Sequence, residues 1–324
     1  MSDYFMRNSV AEYDRKPRIL NGRCNMSLEQ YAKNFYNHHK NYKIIDNPQA
    51  AEPDLCVIFF SSGGLYSEKN CAARLNGDYY EFHLNPVRRA GRNIYVRDVL
   101  LSFYLDGINA EINSTDKLLD LLKEITRGYR VITVGISAGG YMAMLAGSVL
   151  GAEYAVSESG TVDLDFMKGH FAKFPWSRKW LEKTDNPYWK IVPCLQQNPV
   201  PIYEFEAYHN LCDRENAKLL AAVPSVMFFN ISCDSHGTVL DSPAIGAFIN
   251  LPRSRIEEIY QFCEGKVISR AAFNFRVLSW GQLLKLYAKK LRKNLLKIKF
   301  SRKEKLLIIA GITLINTTSN RLQH

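Results

Sequence analysis

The stretch Val131-Ile-Thr-Val-Gly-Ile-Ser137-Ala-Gly-Gly-Tyr-Met-Ala-Met-Leu-Ala-Gly147 decides how this chain is read. Residues 131–134 are β-branched throughout, the composition of a buried strand. Residues 135–139 form a G-x-S-x-G, and a helix of small residues follows from Gly140. Strand, tight turn and helix with Ser at the apex make a nucleophile elbow. A Cβ at Gly135 or Gly139 would crowd the neighbouring strand and helix. The helix N-terminus behind Ser137 offers free N–H groups to developing negative charge. A plain glycine-rich strand–helix turn has the same sequence, so the catalytic reading needs a base, an acid and oxyanion donors elsewhere.

Working outward, Asp54-Leu-Cys-Val-Ile-Phe-Phe60 is a continuous apolar run, as in a strand covered on both faces. It ends in Ser61-Ser62-Gly63-Gly64, which fits either an oxyanion loop facing the Ser turn or an ordinary βα turn. Residues 79–84 and 93–96 read as short strands, and 115–125 as an amphipathic helix with Ser114 or Thr115 as N-cap. Downstream, 153–156, 201–208 and 225–232 read as strands, with helices running to Val223, from about Pro243, and over 255–262. Strands alternating with helices predict an α/β fold with a doubly wound, mostly parallel sheet.

Residues 160–200 differ in character and predict an inserted lid. They hold three of the four Trp (Trp176, Trp180 and Trp189) among prolines, lysines and arginines. Such rings stack on sugars or enclose acyl chains, or simply pack the lid onto the body. Residues 1–50 are polar and form an N-terminal extension, with a helix over 28–42 whose His38-His39 pair lacks an acid or Cys at ligand spacing. The body is expected over 51–265 and a basic helical region over 266–324. No metal or other cofactor is expected.

The net charge of +10 belongs to the C-terminus: residues 285–324 hold eleven Lys or Arg against Glu304 alone, which leaves the remainder neutral. Trp280, Leu283, Leu284, Tyr287, Leu291, Leu295 and Ile298 recur there at helical spacing. Such a helix either lies on an anionic membrane leaflet or packs on the body with its Lys in water. Residues 306–315 are apolar but too short to span a bilayer. No aromatic or Gly-rich base-reading motif accompanies the charge, so nucleic acid is not an expected partner. Seven Cys with no C-x-x-C, and no visible signal peptide, predict reduced thiols in the cytoplasm, with the inner membrane face as the alternative site.

Ser137, Asp213 and His236 follow one another in the chain, each after a predicted strand. On these residues, the elbow, the early Gly loop and the insertion, residues 54–250 resemble the α/β-hydrolase superfamily. The resemblance implies Ser137 as nucleophile, Asp213 as acid and His236 as base. It also implies oxyanion donors at the N–H of Ala138 and in the Gly63–Gly64 loop. Rivals are His209 for the base, and Asp163, Asp165 or Asp234 for the acid. The implied chemistry is acyl transfer from an ester, ending on water in an esterase or on a sugar hydroxyl in an O-acyltransferase. The aromatic, cationic insertion resembles those of enzymes acting on acylated surface glycans, with Trp176 and Trp180 as substrate-binding candidates. A non-catalytic scaffold of the same fold, working through its basic tail, is the competing class.

Overall fold

Residues 131–134 lie in β4 (Arg130–Ile136), in the middle of an eight-stranded sheet in the computed structural model, which describes residues 28–63, 74–75, 77–173, 175–237 and 239–297. The other strands are β1 (Tyr42–Asp46), β2 (Glu52–Phe60), β3 (Ala90–Val96), β5 (Tyr154–Glu158), β6 (Ile202–Ala207), β7 (Val226–Ile231) and β8 (Val267–Ile268). They lie in the order β1-β3-β2-β4-β5-β6-β7-β8. The pairing is parallel throughout except where β1 meets β3.

This order positions the site. From β2 the chain winds to β3 on one side, then returns past β2 to β4 and proceeds the other way. In open α/β sheets, ligands collect outside the carboxyl ends of the strands at such a reversal. The segments leaving the sheet there are 61–63 after β2 and the turn at Ser137 after β4.

Residues 55–60 of β2 are buried without alternation, because both faces of the sheet are covered. On one face lie α2 (Thr115–Ile125) and α3 (Ala138–Leu150). Ser114 caps α2 by accepting the N–H of Lys117, and Leu118, Leu119 and Leu122 form its buried stripe. The opposite face is covered by α7 (Ser242–Ile249), α8 (Arg253–Cys263), α9 (Arg270–Val277) and α10 (Trp280–Lys297), through Phe248, Ile256, Phe273 and Leu283.

Between β5 and β6 the chain forms α4 (Lys168–Lys173), α5 (Val192–Gln197) and two 3₁₀ segments, Leu164–Met167 and Pro175–Leu181. Phe171, Trp180 and Trp189 of this insertion are buried in the same core as α2 and α3. It is also fastened to residues 98–106. The indole N–H of Trp176 donates to the Leu100 carbonyl (2.7 Å), His170 Nε2–H donates to the Leu101 carbonyl (2.9 Å), and Lys179 pairs with Asp106.

Several segments differ from expectation. Residues 42–46, inside the expected N-terminal extension, form β1 and complete one sheet edge, while the helix before it, α1 (Leu28–His38), stops short of Asn41, whose φ is +56°. β8, α9 and the first turns of α10 lie beyond the expected body boundary at 265, yet Ile268, Phe273, Leu283 and Leu286 join its core. Burying each such side chain stabilises by about 1.5–3 kcal/mol, so these segments belong to the folded unit. Residues 79–84, expected as a strand, form none, and 81–84 are a turn. Asp78 and Phe82 adopt φ of +48° and +66°, which no strand allows. The apolar run 306–315 and Ile298 lie outside the described residues.

Candidate active site

The turn after β4 holds Ser137 at φ +54° and ψ −116°, a strained backbone for a residue with a side chain. The strain follows from close packing. A Cβ on Gly135 would come within 3.0 Å of the Gly139 carbonyl, and one on Gly139 within 3.0 Å of the Phe60 carbonyl. Two glycines therefore let β4, β2 and α3 close on one another, and Ser137 is thrust out at the end of the sheet. Its N–H is anchored to the Glu158 carbonyl (2.8 Å).

His236 follows β7 and Asp213 follows β6, in the first turn of α6 (Leu211–Leu220). Asn210 caps that helix by accepting the N–H of Asp213, which sets where the carboxylate begins. Ser137 Oγ lies 2.9 Å from His236 Nε2, and His236 Nδ1 lies 2.5 Å from Asp213 Oδ1. A carboxylate only accepts, so Nδ1 carries the proton and Nε2 is the acceptor that faces the Ser137 hydroxyl. The other oxygen of Asp213 accepts from the Ser159 hydroxyl (2.6 Å). Ser159 itself sits at φ +51°, just past β5. The Asp213 carboxylate is thus buried with both oxygens engaged.

The rivals are elsewhere. Asp163 and Asp165 each pair with Lys190 (2.9 Å). Asp234 accepts from Ser235 Oγ (3.3 Å), and His209 Nε2 faces Ser232 Oγ (3.2 Å). Glu204 of β6 accepts the Gly160 N–H (3.1 Å) and lies close to Asp213. Burial holds its carboxyl well above the usual range, and the negative charge of Asp213 adds to the rise.

Of the oxyanion candidates, Ala138 opens α3, and an added Cβ on Gly63 would sit 3.8 Å from the Ala138 Cβ. The two residues are therefore neighbours at the reversal point. Among the described residues neither N–H donates to another group. Gly64 lies outside the described residues. The Ser62 N–H is already committed to the Glu81 carboxylate (2.5 Å), which fixes the loop and leaves Gly63 as its described donor. His170 of α4 borders the same spot, with its Cε1 3.7 Å from an added Gly63 Cβ.

The two Trp substrate candidates are placed differently from expectation. Trp180 is buried and donates its indole N–H to Asp106 (3.0 Å), so its ring is part of the core and not a stacking platform. Trp176 is half-buried against Phe35, Leu75, Val99 and Leu101. The aromatic argument for a glycan substrate loses its footing on these two rings.

Three residues of the site were not found by sequence reasoning: Ser159, Glu81 and Glu158. Glu158 ends β5 and accepts the N–H groups of Val239 (2.6 Å) and Leu240 (3.0 Å), tying that strand to the segment after His236. A carboxylate closing an apolar strand beside the elbow was a usable signal for it. Ser159 offered none, and reading 79–84 as a strand concealed Glu81.

Burial pushes the Glu158 carboxyl up to about 7, against its two N–H bonds and the pull of Arg270. Asp98, which accepts from the N–H groups of Leu100 (3.1 Å) and Tyr104 (3.0 Å), is pushed up to about 7 in the same way, with Asp106 adding to the rise. For both, the folded chain keeps a proton that the unfolded chain has released. The stability they contribute is complete below the usual carboxylate range and is lost as pH rises through about 7. Glu158→Gln keeps an acceptor for both N–H groups and removes one titration. Between about pH 5.5 and about pH 8 the variant should lose about 1–2 kcal/mol less stability than the parent, a few degrees in thermal midpoint. Identical slopes in thermal unfolding would remove Glu158 as a source.

No protein-family model matches the chain, and no curated protein sequence matches it. Solved structures do. MenH from S. aureus is similar at a TM-score of 0.42 and 14% identity, over 68% of this chain and 99% of its own. The capsule O-acetyltransferase of Neisseria meningitidis serogroup A is similar at 0.45 and 12%, over 68% and 92%. Proline iminopeptidase of Mycobacterium smegmatis is similar at 0.38 and 10%, over 68% and 93%. At these scores the likenesses carry nothing about what the chain acts on. The strand order, the elbow after β4, and the Asp and His that follow β6 and β7 give the chain its α/β-hydrolase fold.

Proposed function

We propose that the chain is a serine hydrolase that cleaves an ester through an acyl-Ser137 intermediate. The observation that carries this reading is the hydrogen-bonded line from Ser137 Oγ through His236 to Asp213, at 2.9 and 2.5 Å. A Ser–His contact alone occurs in many proteins. One on a strained elbow, with the His fixed by a buried carboxylate, is what activation of a hydroxyl requires.

In this mechanism Nε2 of His236 takes the Ser137 proton as Oγ attacks the ester carbonyl carbon. The oxyanion so formed is held by the N–H groups of Ala138 and Gly63, aided by the positive end of α3. The imidazolium is held by Asp213 and gives its proton to the leaving alkoxide. Water then loses a proton to the same Nε2 as it attacks the acyl carbon, and collapse breaks the bond to Oγ, which takes that proton back and restores Ser137 as the acid leaves. Asp213 keeps its charge through the cycle, and Ser159 and Glu158 keep it and the His segment in place.

The test is covalent. A fluorophosphonate probe should form one adduct per folded chain, mapped by peptide mass spectrometry to Ser137. p-Nitrophenyl acetate should give a burst of p-nitrophenol of about one equivalent followed by slower turnover. A chain that folds but forms no adduct, or forms it at another Ser, would overturn the proposal. If the acetyl-enzyme persists in water and discharges when a polyol is added, the acceptor is a hydroxyl and the chain is an O-acyltransferase.

A further inference from the structure

Helix α10 carries two kinds of apolar residue. Leu283 and Leu286 are buried against the body, and Lys290 reaches Asp241 (2.7 Å), so that face is occupied. Trp280, Leu284 and Leu291 are 75%, 45% and 52% exposed. At 3.6 residues per turn they fall within about 40° of one another, a single stripe along the helix. Phe275 of α9, 55% exposed, extends it sideways. Its ring lies 6.2 Å from that of Trp280 and 6.2 Å from that of Tyr287. Isolated exposed apolar residues are normal, but four contiguous ones, two of them large aromatics, mark a contact surface.

The surrounding charge says what that surface contacts. Residues 262–297 contain nine Lys or Arg and a single acid, Glu264. Lys285 and Arg292, both exposed, border the stripe on the side away from the body. Arg276, next to Phe275 in the chain, has its guanidinium over the Phe262 ring (3.6 Å to its centroid). Protein interfaces are depleted of Lys and bury their aromatic residues in neutral surroundings. A nucleic acid would use the cations and leave the Trp and Leu stripe in water. A bilayer with anionic headgroups uses both: the stripe enters the headgroup–acyl boundary, and the long cationic side chains reach up to the phosphates.

We propose that α10, with Phe275, docks the protein on an anionic phospholipid surface. Trp280, Leu284 and Leu291 enter the interface, and Lys285 and Arg292 face lipid phosphates. The surface is joined to the candidate active site, because Asp241, five residues past His236, is held by Lys290 of α10 and by Asn274 of α9 (2.8 Å).

Co-sedimentation of the full chain with vesicles tests this. Phosphatidylcholine vesicles with about 30% phosphatidylglycerol should bind at least about tenfold more tightly than pure phosphatidylcholine, with the difference falling as salt rises. Binding should move the Trp emission to shorter wavelength. Trp280→Ser with Leu284→Ser and Leu291→Ser should lose about tenfold or more in binding to the anionic vesicles, and Lys285→Glu with Arg292→Glu should abolish the preference for them. The replaced side chains are exposed, so thermal midpoints close to that of the parent certify folding. Equal binding to both vesicle types overturns the proposal. Undiminished binding by the triple variant also overturns it and assigns the lipid contact to residues 298–324. A dimer in solution that the triple variant converts to monomer, without vesicle binding, overturns it in favour of self-association.

Discussion

Ser137→Ala is expected to lower ester turnover by on the order of a million-fold, close to the rate of unassisted hydrolysis in the presence of an oxyanion site. The reason is that, among the described residues, the neighbouring hydroxyls are engaged elsewhere. Ser159 is spent on Asp213, and the Ser62 hydroxyl lies 3.3 Å from Glu81, in the loop after β2. Removing one oxygen at the elbow leaves Ala at the same φ of +54° and takes away no backbone hydrogen bond, so stability should change by less than about 1 kcal/mol. Binding of an unreactive ester analogue should persist, because the donors at Ala138 and Gly63 are untouched. Loss of turnover with an unchanged thermal midpoint and retained analogue binding is the expected pattern. Turnover within about a hundredfold of the parent would show that the acyl group never resides on Ser137, because a nucleophile's removal costs far more than that.

The parts of this molecule that were legible in sequence are those set by local chemistry. The run 131–134, the two elbow glycines and the capping pair Ser114-Thr115 each specify a local backbone geometry, and the structure has β4, the turn and α2 where they fall, with Ser114 as the cap. β1 and β8 were not legible for the opposite reason. Tyr42–Asp46 has only partial burial and Val267–Ile268 is two residues long, so neither has a hydrophobic period, and both exist because a sheet edge was open to them. Residues 79–84 have strand composition, but the Glu81 carboxylate takes the Ser62 N–H and the backbone turns at Asp78 and Phe82. That choice is made by a partner 19 residues away, which no local window contains. Trp180 shows the same limit. Its residue type fits a stacking platform or a core equally, and Asp106 decides, at a separation of 74 residues.

Order along the chain pointed to Asp213 and His236, the structure puts both in line with Ser137, and a second substitution measures how much the way they are held matters. Asp213→Asn is nearly isosteric and should keep the α6 start intact, since the Asn210 cap uses the backbone N–H of residue 213. What changes is the group facing His236 Nδ1. With its amide nitrogen toward the ring, the new Asn donates, Nδ1 must accept, and the proton moves to Nε2, where it blocks transfer from Ser137. With its oxygen toward the ring the tautomer is retained, and the Ser159 hydroxyl can accept the amide N–H on the other side. Even then the imidazolium formed in the transition state has lost the carboxylate charge beside it. Both orientations therefore cost rate, and the expected fall in turnover is about ten-thousand-fold. Adding Ser159→Ala to the Asn variant tests the orientation directly. If Ser159 is what permits the useful orientation, the double variant falls further, by about tenfold. Should Asp213→Asn alone stay within about tenfold of the parent, the carboxylate at 2.5 Å is structural, and the His must be oriented by another group.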